Sequence, residues 1–354
     1  MSSENPTVDV RRGEELDAAA IDAVLKTVIP DLKGAPKVAQ YASGASNLTY
    51  ALEYPERRMV LRRPPVGDKP KSGHDMHREY RIMTALKGVL PVPDTLYYTD
   101  DTSIIGSEFY VMDRVDGHLI HTEIPKDWNW GTQEVGALCE NFFSTLVALH
   151  QADYKALGLA DFGRPEGYVN RQITGWNRRW ENAWTEDVPK FDDVCRWLDE
   201  NQPRQETGAA IVHGDYRIDN CILNLKDPTQ IDAILDWEIS ALGDPMMDLG
   251  NTLAYWIEAD DPPFMQMMVR QPSQVKGMMS RQEILTFYAD RTGADVSNFI
   301  FYYVYGIWRL AVIIQQIYAR FYRGQNDNQR FKDYGQMVIA LGKLARHKIK
   351  TGKL

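Results

Sequence analysis

His213-Gly214-Asp215-Tyr216-Arg217-Ile218-Asp219-Asn220, followed after a short hairpin by Ile234-Leu235-Asp236-Trp237-Glu238, is the stretch around which the chain is organised. Ile211 and Val212 lead in as a short apolar run, and the Gly, Asp, Asp and Asn that follow are too polar for a core strand, so the segment reads as a loop. Cys221-Ile222-Leu223 and Ile231-Asp232-Ala233-Ile234-Leu235 are apolar runs separated by the turn formers Lys226-Asp227-Pro228-Thr229-Gln230, which is a hairpin pattern. Pairing residue 225 with 231 puts Asn220 opposite Asp236, so that an amide oxygen and a carboxylate lie side by side. That donor set suits Mg²⁺, a hard cation that shares oxygen ligands with phosphate. Asp215, five residues before Asn220, stands at the other end of the loop and can address something other than the metal.

An Asp, an Asn five residues on and a second Asp on the following strand match an arrangement used for phosphoryl transfer. In it the first Asp takes the hydroxyl proton while the Asn and second Asp hold Mg²⁺. His-Gly-Asp in place of His-Arg-Asp, Asp-Trp-Glu in place of Asp-Phe-Gly, and the later Gly243-Asp244-Pro245-Met246-Met247-Asp248-Leu249 resemble the aminoglycoside phosphotransferase-like (APH) kinases. Either tripeptide alone would be an ordinary turn, and the ordered pair at this spacing carries the resemblance. Val60-Leu61-Arg62-Arg63-Pro64-Pro65, His74-Asp75-Met76-His77-Arg78-Glu79-Tyr80 and Asp161-Phe162-Gly163-Arg164-Pro165-Glu166-Gly167-Tyr168 are similar to the phosphotransferase domain at the start of some long acyl-CoA dehydrogenases. The resemblance implies a bilobal, protein-kinase-like α+β fold. A small antiparallel-sheet N-lobe would bind the nucleotide over residues 1–115, and a larger, mainly helical C-lobe would carry catalysis and substrate binding over 116–354. It further implies Asp215 as catalytic base, Asn220 and Asp236 as metal ligands, and ATP with Mg²⁺ as cofactors.

In the first lobe, the small residues of Tyr41-Ala42-Ser43-Gly44-Ala45-Ser46-Asn47-Leu48 fall between two strands, where backbone amides can approach phosphates. An ordinary hairpin gives the same pattern. The resemblance makes it the nucleotide-covering loop, with Ser46 and Asn47 nearest the phosphates. Met59-Val60-Leu61-Arg62-Arg63 reads as a strand ended by Pro64-Pro65. Ser72 and Asp75 signal the start of a helix from about Met76 to Lys87, and Glu79 falls on its apolar stripe of Met76, Tyr80, Met83 and Leu86. A carboxylate on a core-facing stripe needs a partner. Arg62 is the candidate, with Arg63 as rival if the register slips by one. Kinases join a strand lysine to a helix glutamate here. Arginine at 62 departs from that lysine, keeping the charge while changing the contact geometry. Glu108 to Met112 is a strand running into Asp113-Arg114-Val115. The resemblance makes this the hinge, with adenine held by backbone near Asp113 and Val115 and lined by Met112.

In the second lobe, Gln133 to His150 is a helix with the core stripe Leu138, Phe142, Leu146 and Leu149, and His150 is assigned a structural role. Asp161-Phe162-Gly163 precedes the loop, so its order excludes it as the metal motif. Arg164, Arg171, Arg178 and Arg179, with Trp176 and Trp180, form either a solvated helix face or an anion-binding substrate lid. Asp244 caps and Pro245 opens a helix in which Asp248, one turn in, faces back toward the loop. Phe299 to Tyr322, which carries Trp308 and Arg309 as further candidate substrate contacts, contains the most apolar stretch of the chain. Its tyrosines and internal arginine make it a buried helix rather than a membrane span.

Ordinary proportions of hydrophobic and charged residues exclude disorder for the bulk of the chain. A net charge of -9 argues against nucleic acid as the main partner. Cys139, Cys195 and Cys221 are odd in number with no metal-ligand spacing, and residues 1–20 lack an apolar signal segment, so a cytoplasmic location is expected. The expected activity is ATP- and Mg²⁺-dependent transfer of the γ-phosphoryl group to a hydroxyl of a small-molecule acceptor, such as a hydroxyacyl-CoA or another anionic metabolite. An aminoglycoside kinase, needing an acidic acceptor pocket, is one rival. A nucleotide-binding pseudokinase is another, although neither the base nor a metal ligand is missing. No membrane partner is expected, and a homodimer is an assembly the reading leaves open.

Overall fold

β-Branched and aromatic residues before position 114 build six strands, β1 (Thr7–Val8), β2 (Lys37–Tyr41), β3 (Leu48–Glu53), β4 (Arg58–Arg63), β5 (Thr95–Thr99) and β6 (Phe109–Asp113). They form one antiparallel sheet in the order β1-β2-β3-β4-β6-β5. The structure, a computed structural model, describes residues 7–42, 47–65, 67, 74–204 and 207–354. Ser46 and Ser72 lie outside the described residues. Two compact units are present. The first is Met1–Ile120, Lys155–Ala160 and Asp219–Ser240, and the second is His121–Tyr154, Asp161–Ile218 and Ala241–Leu354.

In the first unit, strand alternation decides which side chain meets which helix. Met59 and Leu61 face a core with Ile21 and Leu25 of α1 (Ala18–Val28), a helix capped by the Asp17 carboxylate. Arg63 follows them and spends its guanidinium on Tyr50 Oη and the carbonyl of Glu14, which removes it as the partner of Glu79. Val60 and Arg62 take the opposite face. There α2 (Met76–Leu86), capped by Asp75 on the Arg78 N–H, buries Met76, Glu79, Ile82, Met83 and Leu86.

The hairpin of the first unit departs from the expected register. Cys221 pairs with Ile234 and Ile222 with Ala233, but Leu223 pairs with Ile231 across a bulge. The turn pairs residue 223, not 225, with Ile231, and the extra residue on the second strand recovers only one of those two positions, so Asn220 lies beside Leu235, whose N–H donates to the Asn220 carbonyl at 2.8 Å. Asp236 is therefore not directly opposite Asn220. It has left the strand in a left-handed conformation (φ 67°), which turns its side chain out of the ladder.

The second unit is mainly helical, with α3 (Thr132–Gln151), α4 (Tyr168–Ala183), α5 (Asp192–Glu200), α6 (Pro245–Ala254), α7 (Pro263–Gln266), α8 (Arg281–Thr292), α9 (Ile300–Tyr322) and α10 (Tyr334–Thr351). Ala210–Val212 pairs antiparallel with Ala241–Gly243. Asp244 caps α6 by accepting from the Met246 N–H, and Pro245 opens it. Helix α9 is long and apolar enough to cross a membrane by length and composition, and most of it is packed inside the protein.

Helices α6 and α9 cross backbone to backbone. A Cβ on Gly306 would lie 2.2 Å from the Gly250 carbonyl oxygen, and one on Gly250 would lie 2.3 Å from that of Tyr302. Neither contact can relax by rotating a side chain. Gly306→Ala is therefore expected to destabilise by about 1–3 kcal/mol, despite the roughly 1 kcal/mol of helix propensity that alanine returns. The urea unfolding midpoint reads this directly, and a midpoint at or above wild type contradicts the close crossing.

Candidate active site

Glu79, with a side chain 1% exposed, is a carboxylate that α2 has carried into the interior of the first unit. Arg62 Nη1 lies 2.8 Å from its Oε2, the Tyr110 hydroxyl donates to the same oxygen at 2.9 Å, and Asn47 Nδ2 donates to Oε1 at 3.2 Å. Burial holds the Glu79 carboxyl above its ordinary range, and Arg62 and Tyr110 offset only part of that rise. Three donors on two oxygens favour the ionised form. Burial likewise opposes the charge on Arg62, but Glu79, Asp236 and Glu238 outweigh it and hold the guanidinium protonated.

The other nitrogen of Arg62, Nη2, lies 3.6 Å from Asp236 Oδ1 and 3.8 Å from Glu238 Oε2, at ion-pair rather than hydrogen-bond distance. Asn47 Nδ2 donates to Glu238 Oε2 at 3.1 Å, and its Oδ1 is 2.8 Å from His74 Nδ1. Glu238 was not singled out by sequence reasoning. Its signal is the third position of Asp-Trp-Glu, which a 3-10 turn (Trp237–Ile239) swings back toward the strand arginine. One guanidinium now faces three carboxylates, and the two negative charges left over match a divalent cation. Asp236 and Asn220, whose carbonyl is held by the Leu235 N–H next to Asp236, offer oxygen ligands, whereas Cys221 is sealed in the core with its thiol pushed up by burial. Arg62 Nε is enclosed without an acceptor, an orphaned donor that a phosphate oxygen would satisfy. The residues present thus fit Mg²⁺ and a nucleotide phosphate.

At the end of β6, Met112 is buried, and the N–H groups of Asp113 and Arg114 donate to the carbonyls of Asp94 and Arg58. The Asp113 carboxylate is held by Arg57 at 2.7 Å. Among the described residues no acceptor takes the Val115 N–H, so it is the open donor of this segment.

The Asp215 loop belongs to the second unit, and Asp248 organises it. One Asp248 oxygen accepts the His213 N–H at 2.7 Å and the other accepts the Gly214 N–H at 2.8 Å. His150 Nε2 contacts the first oxygen at 3.2 Å, and its Nδ1 faces the Tyr288 hydroxyl at 2.8 Å. Burial would raise the Asp248 carboxyl, but His150 and His213 win and lower it. Further along, Tyr216 Oη donates to the Phe142 carbonyl and the Ile218 N–H to Gln271 Oε1. Asp215 is left part-exposed, with Arg217 Nη1 at 3.4 Å.

The candidate substrate residues do not converge as one cluster. Arg171 donates to the carbonyls of Glu166 and Arg164, bracing its own loop, while Arg164 and Arg178 are exposed. Trp308 is fully enclosed and donates to Asn177 Oδ1 at 3.1 Å, a packing position. Arg309, one turn beyond Tyr305 on α9, is buried with its guanidinium 5.2 Å from the Trp176 ring centroid.

An antiparallel sheet followed by a mainly helical part, with this loop and turn in order, defines a protein-kinase-like phosphotransferase. The model of the phosphotransferase enzyme family, APH, matches residues 37–283, and the chain belongs to that family. Acyl-CoA dehydrogenase family member 11 of Gallus gallus is 33% identical over 96% of this chain, which spans 44% of that protein's length. A crystal structure from Ralstonia eutropha, of a protein provisionally named an aminoglycoside phosphotransferase, superposes with a TM-score of 0.83 at 30% identity. The match covers 95% of this chain and 99% of that one. Choline kinase of Cryptosporidium parvum shares the fold at a TM-score of 0.65 and 13% identity, covering 95% and 97% of the two chains. The protein is an APH-family small-molecule phosphotransferase, a family that uses a nucleoside triphosphate.

Asp248 offers a test of how the loop is held. Its pKa is depressed in the folded state, so its stabilisation is complete above the ordinary carboxylate value near 4 and fades as the pH falls below it. Asp248→Asn is expected to cost about 3 kcal/mol at neutral pH, the scale of a broken buried ionic network. The gap to wild type should close below about pH 4. Urea titrations across pH 3–7 measure this, and a gap independent of pH refutes the ionised role.

Proposed function

We propose that the chain transfers the γ-phosphoryl group of ATP, with Mg²⁺, to a hydroxyl of a small anionic metabolite, a hydroxyacyl-CoA being one member of that class. The observation that carries this reading is the convergence of Glu79, Asp236 and Glu238 on the part-buried Arg62. Such a charge deficit, beside the amide of Asn220, is what a Mg²⁺-bound nucleotide requires. Mg²⁺, when bound by Asn220 and Asp236, supplies neutralisation of the phosphate charge. Arg62, held by Glu79, anchors the phosphates, and Val115 N–H serves the adenine. Asp215 accepts the proton of the acceptor hydroxyl as its oxygen bonds to the γ-phosphorus and the bond to the bridging oxygen of ADP breaks. The aminoglycoside name of the Ralstonia relative favours a second reading, in which the acceptor is a polycation.

The two aspartates are expected to fail differently. Asp236→Asn should weaken binding of Mg²⁺ with a non-hydrolysable ATP analogue in calorimetry. Asp215→Asn should leave that binding in place and lower kcat by about 10²- to 10⁴-fold, the range of a positioned base. The opposite pattern, nucleotide binding lost with Asp215→Asn and kept with Asp236→Asn, would falsify the assignment. Glu79→Gln, which removes the charge that orients Arg62, should raise the KM for ATP; unchanged kcat and KM would disprove the anchor.

A further inference from the structure

Three arginines are buried among the described residues, and two of them are spent. Arg63 donates to Tyr50 Oη and to backbone carbonyls. Arg281 is paired with Glu258 and Asp261 and donates to the Trp256 carbonyl. Arg309, 6% exposed, has no hydrogen-bond acceptor and no carboxylate within ion-pair distance among the described residues. Its guanidinium lies 5.2 Å from the Trp176 ring centroid, and the phenols of Tyr305, Tyr255 and Tyr168 and the Asp215 carboxylate act on its charge without pairing with it. Asp215 itself pairs with Arg217, whose guanidinium lies 4.9 Å from the Tyr255 ring centroid. Burying a cation without a partner is costly, and such groups persist where a ligand completes them.

We infer that Arg309, stacked beside Trp176, is the acceptor subsite for an oxyanion, a carboxylate or a phosphate ester carried a few bonds from the hydroxyl that Asp215 serves. The inference rests on the phosphotransfer reading for the role of Asp215. The charge of Arg309 bears on the acceptor class. A free hydroxy acid or a phosphorylated alcohol presents its charge where this arginine is. A polycationic aminoglycoside would be repelled by it. The Trp176 ring suits the short carbon stem between the anion and the hydroxyl.

Calorimetric titration of the full chain with 3- and 4-hydroxybutyrate and with inorganic phosphate, against butane-1,4-diol as the uncharged control, reads this site without phosphoryl transfer. At least one oxyanion should bind better than the diol, with phosphate the tightest if a phosphate ester is the group taken and a hydroxy acid if a carboxylate is. Arg309→Met should raise that Kd by about 10- to 100-fold, as loss of a charge-assisted hydrogen bond does. Arg309→Lys should recover part of the affinity. The Tm of Arg309→Met should equal or exceed wild type, because an unpaired buried charge has been removed. An unchanged Kd in Arg309→Met overturns the subsite, as does equal failure of oxyanions and diol to bind wild type. A lowered Tm with unchanged Kd overturns it by marking a structural counter-ion. If oxyanions bind through Arg309 but no hydroxy acid draws ADP from ATP, the phosphotransfer reading fails and the subsite stands. If hydroxy acids draw ADP from ATP while Arg309→Met leaves their KM alone, the subsite fails and the phosphotransfer reading stands.

Discussion

A carboxylate on the buried stripe of a helix can remain ionised only if other elements bring it donors, and this constraint on Glu79 shapes the first unit. β4 supplies Arg62, β6 supplies the Tyr110 hydroxyl, and the residue before β3 supplies the Asn47 amide. Four elements must therefore be in register for one charge to be satisfied. A slip of one residue in β4 would exchange Arg62 for Arg63, and Arg63 would abandon Tyr50 and Glu14 in doing so. The pair is a weak source of stability, since desolvating both ions offsets most of their attraction. Its value lies in fixing the guanidinium where it reaches the Asp-Trp-Glu turn.

The second unit solves a similar problem with the charge reversed in purpose. Asp248 is buried so that the backbone of His213 and Gly214 has somewhere to donate, and the carboxylate is kept ionised by the imidazoles around it. Because α6 carries Asp248 and crosses α9 at Gly250 and Gly306, the helix that aligns the loop is packed without slack against the helix that bears Arg309. Positioning of the part-exposed Asp215 thus derives from groups that never meet solvent.

Much of this was legible because it obeys short-range rules. The period of 3.6 put Glu79 on a core stripe, the cap and proline placed Asp248 one turn into its helix, and the ordered tripeptides gave the kinase-like fold. What escaped depended on backbone irregularity or on three dimensions. The hairpin count failed because the turn sets Leu223, not residue 225, opposite Ile231, and a bulge that no composition signal marks makes up only one of the two residues. Glu238 was overlooked because a left-handed residue at Asp236 redirects the chain behind it. The arginines of α4 were grouped by proximity in sequence, yet all of them are exposed, and Arg171 is spent on the carbonyls of Arg164 and Glu166. Arg309, read from the sequence as a candidate substrate contact on a helix more than a hundred residues later, is a buried cation without a hydrogen-bonded partner among the described residues.

The departure from the kinase lysine and the glutamate ending Asp-Trp-Glu are best understood together. A lysine ammonium is a point charge that one carboxylate and a phosphate can satisfy. A guanidinium is a planar fork, and with Nη1 committed to Glu79 its second arm, Nη2, needs an anion of its own. Glu238 provides one, and it is steadied by the same Asn47 amide that steadies Glu79. A glycine at that position, as in the kinase motif, would leave this arm to Asp236 alone. Arginine at 62 and glutamate at 238 therefore act as one unit, in which Glu238 shares with Asp236 the arm of the guanidinium that Glu79 leaves free.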